Sequence, residues 1–428
     1  MFIEKCNKGL KGEITIPADK SISHRAVICG ALAKGETIIE NILLSEDVLN
    51  TIDCFRQMGV NIEKKNNRLI IQGAGLYGFK KPISPLNCGN SGTTMRLLSG
   101  ILVGQNFPTS LIGDSSLMNR PMKRIIFPLG KMGANIIGRD GEYPPLTIEP
   151  TEVLNGIIYE LPIASAQVKS SILLASLYAS GETKTIENKS TRDHTERMLN
   201  YFGQKVSKNG NDIIINEKQN LIGKELFIPG DISSAAFLIA AATLVENSNI
   251  IIKNVGINPT RSGILEILDK MGGNIKVYNK RTVNNEPIGD IEIKYSPLKG
   301  CVIEGDIVGR LIDELPIVAV LAALAEGETT IRDAEELRYK ETDRIKAMAL
   351  ELRKMGVEIK ELSDGMIING VKELRAEELN SYGDHRIAMA LSIAALRAEG
   401  KSFINGSEIV NVSYPDFYKD LNYLVGNI

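Results

Sequence analysis

The chain is poor in the materials of several classes of function. Three histidines, and five cysteines without a CxxC pair (Cys6, Cys29, Cys54, Cys88 and Cys301), leave little from which to build a zinc site, and no metal is expected. No apolar run reaches the about 20 residues that cross a bilayer. The longest, Ala235 to Val245 and Pro316 to Ala325, read as core helices, so no membrane association is expected. A net charge of −2 gives no whole-molecule field for capturing nucleic acid, which excludes that partner and makes any anion site local. The first residues, Met1-Phe2-Ile3-Glu4-Lys5, lack the charged-then-apolar layout of a secretory signal, and the expected location is the cytoplasm. Nothing in the chain demands a partner subunit, so a monomer is expected.

What is present is repetition. At intervals of roughly 70 to 85 residues an apolar helix pattern ends in a hydrophobic residue and a glycine: Met58-Gly59, Met132-Gly133, Phe202-Gly203, Met271-Gly272, Met355-Gly356 and Val425-Gly426. A second landmark, Gly35-Glu36-Thr37, Gly181-Glu182-Thr183, Gly327-Glu328-Thr329 and the degraded Gly400-Lys401-Ser402, closes an earlier Ala/Leu-rich helix and opens a strand. The unit reads strand, helix, strand, helix, two strands, an α/β arrangement. At 428 residues, six copies favour two domains of three. The sixth copy reaches Ile428 without its closing strand pair, whereas Phe2–Cys6 and Leu10–Ile14 read as a strand pair with no preceding helix. The expected domains are therefore residues 14–228, and residues 1–13 with 229–428. The chain then crosses twice, at the similar segments Ile16-Pro17-Ala18-Asp19 and Ile228-Pro229-Gly230-Asp231, which form a plausible hinge.

The unusual polar residues fall where helices begin. First helices are expected to start near Lys20 to Arg25, Asn90 to Thr94, Ser165 to Lys169, Asp231 to Ser234, Asp313-Glu314 and Asp384 to Arg386. Ordinary capping accounts for the Ser, Asp and Asn residues. It does not account for Lys20, Arg25 and Arg386, which oppose the positive end of the helix dipole unless an anion sits opposite. Second helices repeat the pattern at Arg120-Pro121, Arg192-Asp193-His194 and Lys340-Glu341-Thr342-Asp343-Arg344. Pro121 suits a first helical position, placing Arg120 at the helix mouth. Lys340 and Arg344 are four apart, where like charges on one helix face repel unless an anion is shared or Glu341 pairs with Arg344 on a solvated face. Gly89-Asn90-Ser91-Gly92 suits either a simple tight turn or close backbone approach to an anion, and it matches no Walker or Rossmann spacing. Asp313, Glu341 and His385 are candidate proton carriers among these cations. Composition and spacing reach a polyanion-binding acid/base enzyme and stop there.

Asp19-Lys20-Ser21-Ile22-Ser23-His24-Arg25, Gly89-Asn90-Ser91-Gly92-Thr93, Arg120-Pro121-Met122, Ser165-Ala166-Gln167, Lys340 to Arg344 and Asp384-His385-Arg386 together resemble the motif series of the 5-enolpyruvylshikimate-3-phosphate synthase family, in order and over nearly the whole chain. The resemblance implies an inside-out α/β barrel of two domains, each of three βαβαββ units, closing at a double hinge. It implies transfer of the enolpyruvyl group of phosphoenolpyruvate to the 5-hydroxyl of shikimate 3-phosphate, with no cofactor. The family's roles, carried over, give shikimate 3-phosphate to Lys20, Ser21, Arg25, Ser165, Ala166, Gln167, Arg192, Asp313 and Lys340. Phosphoenolpyruvate falls to Lys20, Asn90, Gly92, Arg120, Gln167, Arg344 and Arg386. Asp313 would take the hydroxyl proton, Glu341 with Lys20 would handle the methylene proton, and His385 would assist. Gly92 lacks the methyl group that excludes glyphosate from tolerant members, which implies inhibition by glyphosate. Val412 and Ser413 stand where some members carry a lysine, and Glu336 where some carry an asparagine. The sister enzyme acting on UDP-N-acetylglucosamine uses a cysteine just upstream of its Arg-Pro pair; the loop from Gly113 to Asn119 has none. A non-catalytic anion-binding module would not need both Asp313 and Glu341.

Overall fold

The computed structural model describes residues 1–426 and shows a mixed α/β fold. Two compact units divide the chain. One is Met1–Pro17 with Pro229–Arg281 and the residues from Pro287 onward; the other is Ala18–Ile228 with Thr282–Glu286. The strand Lys11–Thr15, which the expected boundary at residue 13 would have split, lies whole in the first.

The repeats are visible as sheets. Five sheets have four strands in one common order: a short parallel edge strand, the strand after the first helix, then the second and first strands of the closing hairpin. In the second repeat these are Leu86–Asn87, Thr109–Ile112, Tyr143–Glu149 and Asn135–Arg139, with Leu86 in parallel register with Leu111 and Thr109 antiparallel to Ile148. The sixth sheet has three strands, Glu378–Asn380, Lys401–Asn405 and Phe2–Glu4, with Phe2–Glu4 antiparallel to Lys401–Asn405 in the position that the second hairpin strand holds in the other sheets. Phe2–Glu4 and Lys11–Thr15 were expected to pair with each other and do not. Lys11–Thr15 is the parallel edge strand beside Asn249–Gly256, and Glu225–Phe227 plays the same part beside Lys34–Glu40. The likeness of the two crossing segments follows: each joins an edge strand of one unit to a first helix of the other.

Helix ends and burial obey the sequence. All six landmark glycines adopt left-handed backbone, with φ from +77° to +107°, a conformation in which a side chain would be strained. The first helices are buried nearly all round; every residue of Ile232–Leu244 and Leu315–Ala323 is buried, as uniformly apolar helices require. Second helices such as Glu46–Gln57 and Gly263–Lys270 bury one face only. Each unit has its own apolar core. Among the described residues no helix is long and apolar enough to cross a membrane.

Candidate active site

In the unit of residues 18–228, three first helices present their N-termini with side-chain caps. Asp19 accepts from the Ile22 N–H (2.8 Å), Ser91 from Thr94 (3.1 Å) and Ser165 from Val168 (3.4 Å). These caps put Lys20, Gly92 and Ala166 at the first helical position. Lys20 Nζ lies 3.2 Å from Asp47 Oδ2. Arg25 is buried, and neutral groups hold it: Nε donates to Thr195 Oγ1 (2.6 Å), Nη2 to Ser170 Oγ (2.8 Å) and Nη1 to the Ser21 carbonyl (3.0 Å). Burial, opposed by Glu196 and abetted by the neighbouring cation Arg192, pulls the Arg25 guanidinium down to about 10.

The glycine loop carries a second cation. Arg120 Nη2 donates to Asn90 Oδ1 (2.5 Å) and to Ser116 Oγ (3.2 Å), while Asn90 Nδ2 donates to Asp114 (2.6 Å). Gln167 joins two helices, accepting from Arg96 Nη1 (2.5 Å) and donating to Thr93 Oγ1 (2.9 Å). His24, buried, shares a 2.8 Å contact with Thr51 Oγ1, and a hydroxyl chain continues through Thr94 to the cap Ser91. Burial drives the His24 imidazole down to about 3, so it is neutral at ordinary pH.

In the other unit the cations sit among carboxylates. Arg344, fully buried, donates from Nε to Asp384 Oδ2 (2.8 Å) and from Nη2 to Glu341 Oε2 (2.7 Å), and its Nη1 lies 3.4 Å from Asp313 Oδ1. The three carboxylates outweigh the burial that opposes its charge, and its pKa rises. Asp384 is also the cap of the helix His385–Ala395, accepting from the Arg386 N–H (2.8 Å). Arg386 donates from Nη1 to the Asp313 carbonyl (3.1 Å), and its Nη2 is 3.9 Å from Asp313 Oδ2. Lys340 Nζ lies 3.3 Å from Glu336 and 4.0 Å from Asp313. His385 is buried at the first position of its helix. Glu314, beside Asp313, is buried, accepts from Ser233 Oγ, and is pushed up by desolvation.

The predicted residues divide between the units: Lys20, Ser21, Arg25, Asn90, Gly92, Arg120, Ser165, Ala166, Gln167 and Arg192 lie in one, and Asp313, Lys340, Glu341, Arg344, His385 and Arg386 in the other, where Asp313, Lys340, Glu341, Arg344 and Arg386 share direct contacts. Two local expectations are corrected. Pro121 is not a first helical residue; a short 3-10 turn, Leu117–Asn119, ends at Arg120, and the helix Lys123–Lys131 starts after Met122. Lys340 and Arg344 do not share a helix face, because Lys340 ends the 3-10 turn Glu335–Tyr339 while Arg344 opens Arg344–Lys354. Glu341 does pair with Arg344, but against a buried guanidinium rather than on a solvated face.

Sequence reasoning missed Arg96, which bonds Gln167, and Arg261, whose Nη2 donates to Asp231 (3.0 Å) and Ser233 (2.5 Å) and whose Nη1 is 3.9 Å from Asp313. The repeat phase held the signal for the latter. Arg261 precedes the second helix Gly263–Lys270 much as Arg192 and Arg344 stand at theirs.

The family model of EPSP synthase (3-phosphoshikimate 1-carboxyvinyltransferase) matches residues 5–421. The chain belongs to the EPSP synthase family. It is 53% identical over 420 residues to the 3-phosphoshikimate 1-carboxyvinyltransferase of Thermoanaerobacter sp. (strain X514), covering 98% of this chain and 99% of that one. The protein of that name from Syntrophomonas wolfei is 51% identical over 424 residues, at 99% of each chain. The solved EPSP synthase of Acinetobacter baumannii superposes with a TM-score of 0.90 at 46% identity, over 99% of this chain and 98% of that one. The enolpyruvyl transferase NikO of Streptomyces tendae, at 19% identity and a TM-score of 0.79 over 99% and 96%, shares the fold.

Proposed function

We propose that this chain moves the enolpyruvyl group of phosphoenolpyruvate onto the 5-hydroxyl of shikimate 3-phosphate, releasing phosphate, as a step of aromatic amino acid biosynthesis. Membership of the family supports the overall reaction. The observation that carries the chemistry is Arg344 with Asp313 and Glu341 both against its guanidinium, beside Arg386. An addition needs one group to accept a proton and another to donate one, near cations that hold the acidic reactant.

In this reading Asp313 takes the proton of the 5-hydroxyl as its oxygen attacks C2 of phosphoenolpyruvate, and Glu341 with Lys20 protonates the methylene carbon. The tetrahedral ketal then loses phosphate and a methyl proton, restoring the double bond. His385, at the start of its helix, assists. Shikimate 3-phosphate is assigned to Lys20, Ser21, Arg25, Ser165, Ala166, Gln167, Arg192, Asp313 and Lys340; the Arg25 and Arg192 pair supports placing a phosphate there. Phosphoenolpyruvate is assigned to Lys20, Asn90, Gly92, Arg120, Gln167, Arg344 and Arg386. Where some members use a lysine, Val412 and Ser413 carry no charge, so the phosphate depends more on the arginines. The same proposal makes glyphosate an inhibitor and the working form a cytoplasmic monomer, independent of nucleic acid and membrane.

The test is direct. Purified protein with shikimate 3-phosphate and phosphoenolpyruvate is expected to release inorganic phosphate; with UDP-N-acetylglucosamine in place of the shikimate ester it is expected to release none. Phosphate release only with the nucleotide sugar would transfer the chain to the sister reaction, and release with neither would leave an anion-binding module.

A further inference from the structure

Glu351 has no place in the mechanism above, yet its carboxylate is wholly buried. It lies on Arg344–Lys354, seven residues after Arg344, which is about two helical turns along the same face. Its two oxygens are fully used. Oε2 accepts from the backbone N–H of Asn380 (3.0 Å) and Oε1 from Tyr382 Oη (2.6 Å), while Lys354 Nζ lies at 2.9 and 2.8 Å.

The segment it grips is strained. Tyr382 has φ +53°, a left-handed conformation costly for an aromatic residue, and Gly383 follows at +70°. The reversal is tied by Tyr382 N–H to Asn380 Oδ1 (2.7 Å) and by Asp384 N–H to the Ser381 carbonyl (2.9 Å). It delivers Asp384, which holds Arg344 Nε and caps the helix that carries Arg386. One helix thus holds one turn at two points, through Arg344 on Asp384 and through Glu351 on Asn380 and Tyr382. Strain of this kind persists only where surrounding contacts over-determine it.

We infer that Glu351 is a positioning residue for Arg344 and Arg386, acting through the strained turn at residues 380–384. This rests on the assignment of those two arginines to phosphoenolpyruvate. Without the Glu351 carboxylate, or without the Tyr382 hydroxyl, the turn relaxes and Asp384 no longer fixes in one geometry the Arg344 guanidinium and the start of the helix that carries Arg386.

The experiment compares wild type with Tyr382→Phe, Glu351→Gln and Glu351→Ala, measuring KM for each substrate, kcat and thermal unfolding. Because small misplacements near reacting groups can cost about 100-fold, Tyr382→Phe and Glu351→Gln are expected to raise KM for phosphoenolpyruvate about tenfold. KM for shikimate 3-phosphate should stay within about twofold, and Glu351→Ala should exceed Glu351→Gln, which keeps an acceptor for the Asn380 N–H. A purely structural role would lower the melting temperature and leave the ratio of the two KM values unchanged; that result overturns the inference. Should the Glu351 variants fail to fold, Tyr382→Phe, which removes a single hydroxyl, decides alone. A wild-type protein that releases no phosphate overturns the parent reading and this inference with it, whereas an active wild type with an unchanged ratio overturns the inference only.

Discussion

Arg25 and Arg120 in one unit and Arg344 and Arg386 in the other are held in opposite ways. In the unit of residues 18–228, Arg25 is seated on two hydroxyls and a carbonyl, and Arg120 on an amide oxygen and a hydroxyl. In the other, Arg344 touches three carboxylates and Arg386 lies near two. A guanidinium on neutral acceptors keeps its field for an incoming anion. One on carboxylates has its field compensated, but it fixes those carboxylates in place. Capturing a phosphate and moving a proton make different electrostatic demands, and the proposed roles of the two sets of arginines follow that difference.

The largest expected effect tests the division of labour. Asp313→Asn and Glu341→Gln should each lower kcat by about 10²- to 10⁴-fold, the usual contribution of a positioned acid or base. Arg25→Met should instead act chiefly on KM for shikimate 3-phosphate. Steady-state kinetics in both substrates separate these outcomes, and a kcat within a few-fold of wild type for both carboxylate variants would break the comparison.

Stability sharpens it next. Arg344→Met leaves the fully buried Asp384 carboxylate without its ion pair, which should cost about 3–5 kcal/mol. Arg25→Met leaves Ser170 and Thr195, whose hydroxyls already bond each other at 2.6 Å, and should cost about 1–2 kcal/mol. Lys169 supplies the control. It is buried in the same unit as Arg25 but lies between Glu187 (2.8 Å) and Glu196 (2.6 Å), so Lys169→Met should resemble Arg344→Met. Urea unfolding that ranked the three by unit rather than by the charge of their partners would show that the kind of partner is not what matters.

The cations also mark what could be read in advance. Lys20, Arg25 and Arg386 stood out because charge at a helix start conflicts with a local rule, and the caps that define those starts are written in adjacent residues. The six glycine landmarks were legible for the same reason, each being a local backbone requirement. Glu351 gave no such signal, and Lys169, a cation in the first turn of Ala166–Ser176, carried the same signal without being singled out. Glu351 with Lys354 reads as an ordinary surface pair three residues apart; only packing on every side shows that Glu351 and Lys169 are both buried. The helix starts near Arg120 and Lys340 were misread because a 3-10 turn and an α-helix share their early residues, and proline tolerates either. The N-terminal strands were assigned to one hairpin because sequence proximity is a weaker guide than the repeat's strand order, which needs an edge strand as well as a closing one.

A pH experiment probes how neutral the hydroxyl-rich unit is. Folded His24 titrates at about 3, well below the 6.5 of a free imidazole, because burial penalises its charge. The unfolded chain therefore binds a proton that the folded one refuses as pH falls from 6.5 towards 3. Stability conferred by neutral His24 is complete above 6.5 and is lost with falling pH, by about 2 kcal/mol at pH 5. His24→Asn, which keeps a polar atom near Thr51, should flatten that part of the urea-midpoint profile. Equal slopes between pH 6.5 and 5 for wild type and variant would show that burial does not keep folded His24 uncharged.

The smallest effect bears on how open the Arg120 seat is. A Cβ at Gly92 would lie 2.9 Å from Arg96 Nη1 and 3.8 Å from Arg120 Nη1, so Gly92→Ala must push the Arg96 guanidinium aside and narrow the approach to Arg120. Both are side-chain ends that can shift, so the backbone should be undisturbed and the cost should fall on whatever anion shares that space. A single methyl group is worth about 1–3 kcal/mol of discrimination in a close-fitting pocket. The inhibitory concentration of glyphosate should therefore rise about tenfold or more in Gly92→Ala, with a smaller rise in KM for phosphoenolpyruvate. Because Arg96 also bonds Gln167, assigned to both substrates, an equal loss for glyphosate and phosphoenolpyruvate would mean that the methyl acts through Gln167 rather than at the anion seat.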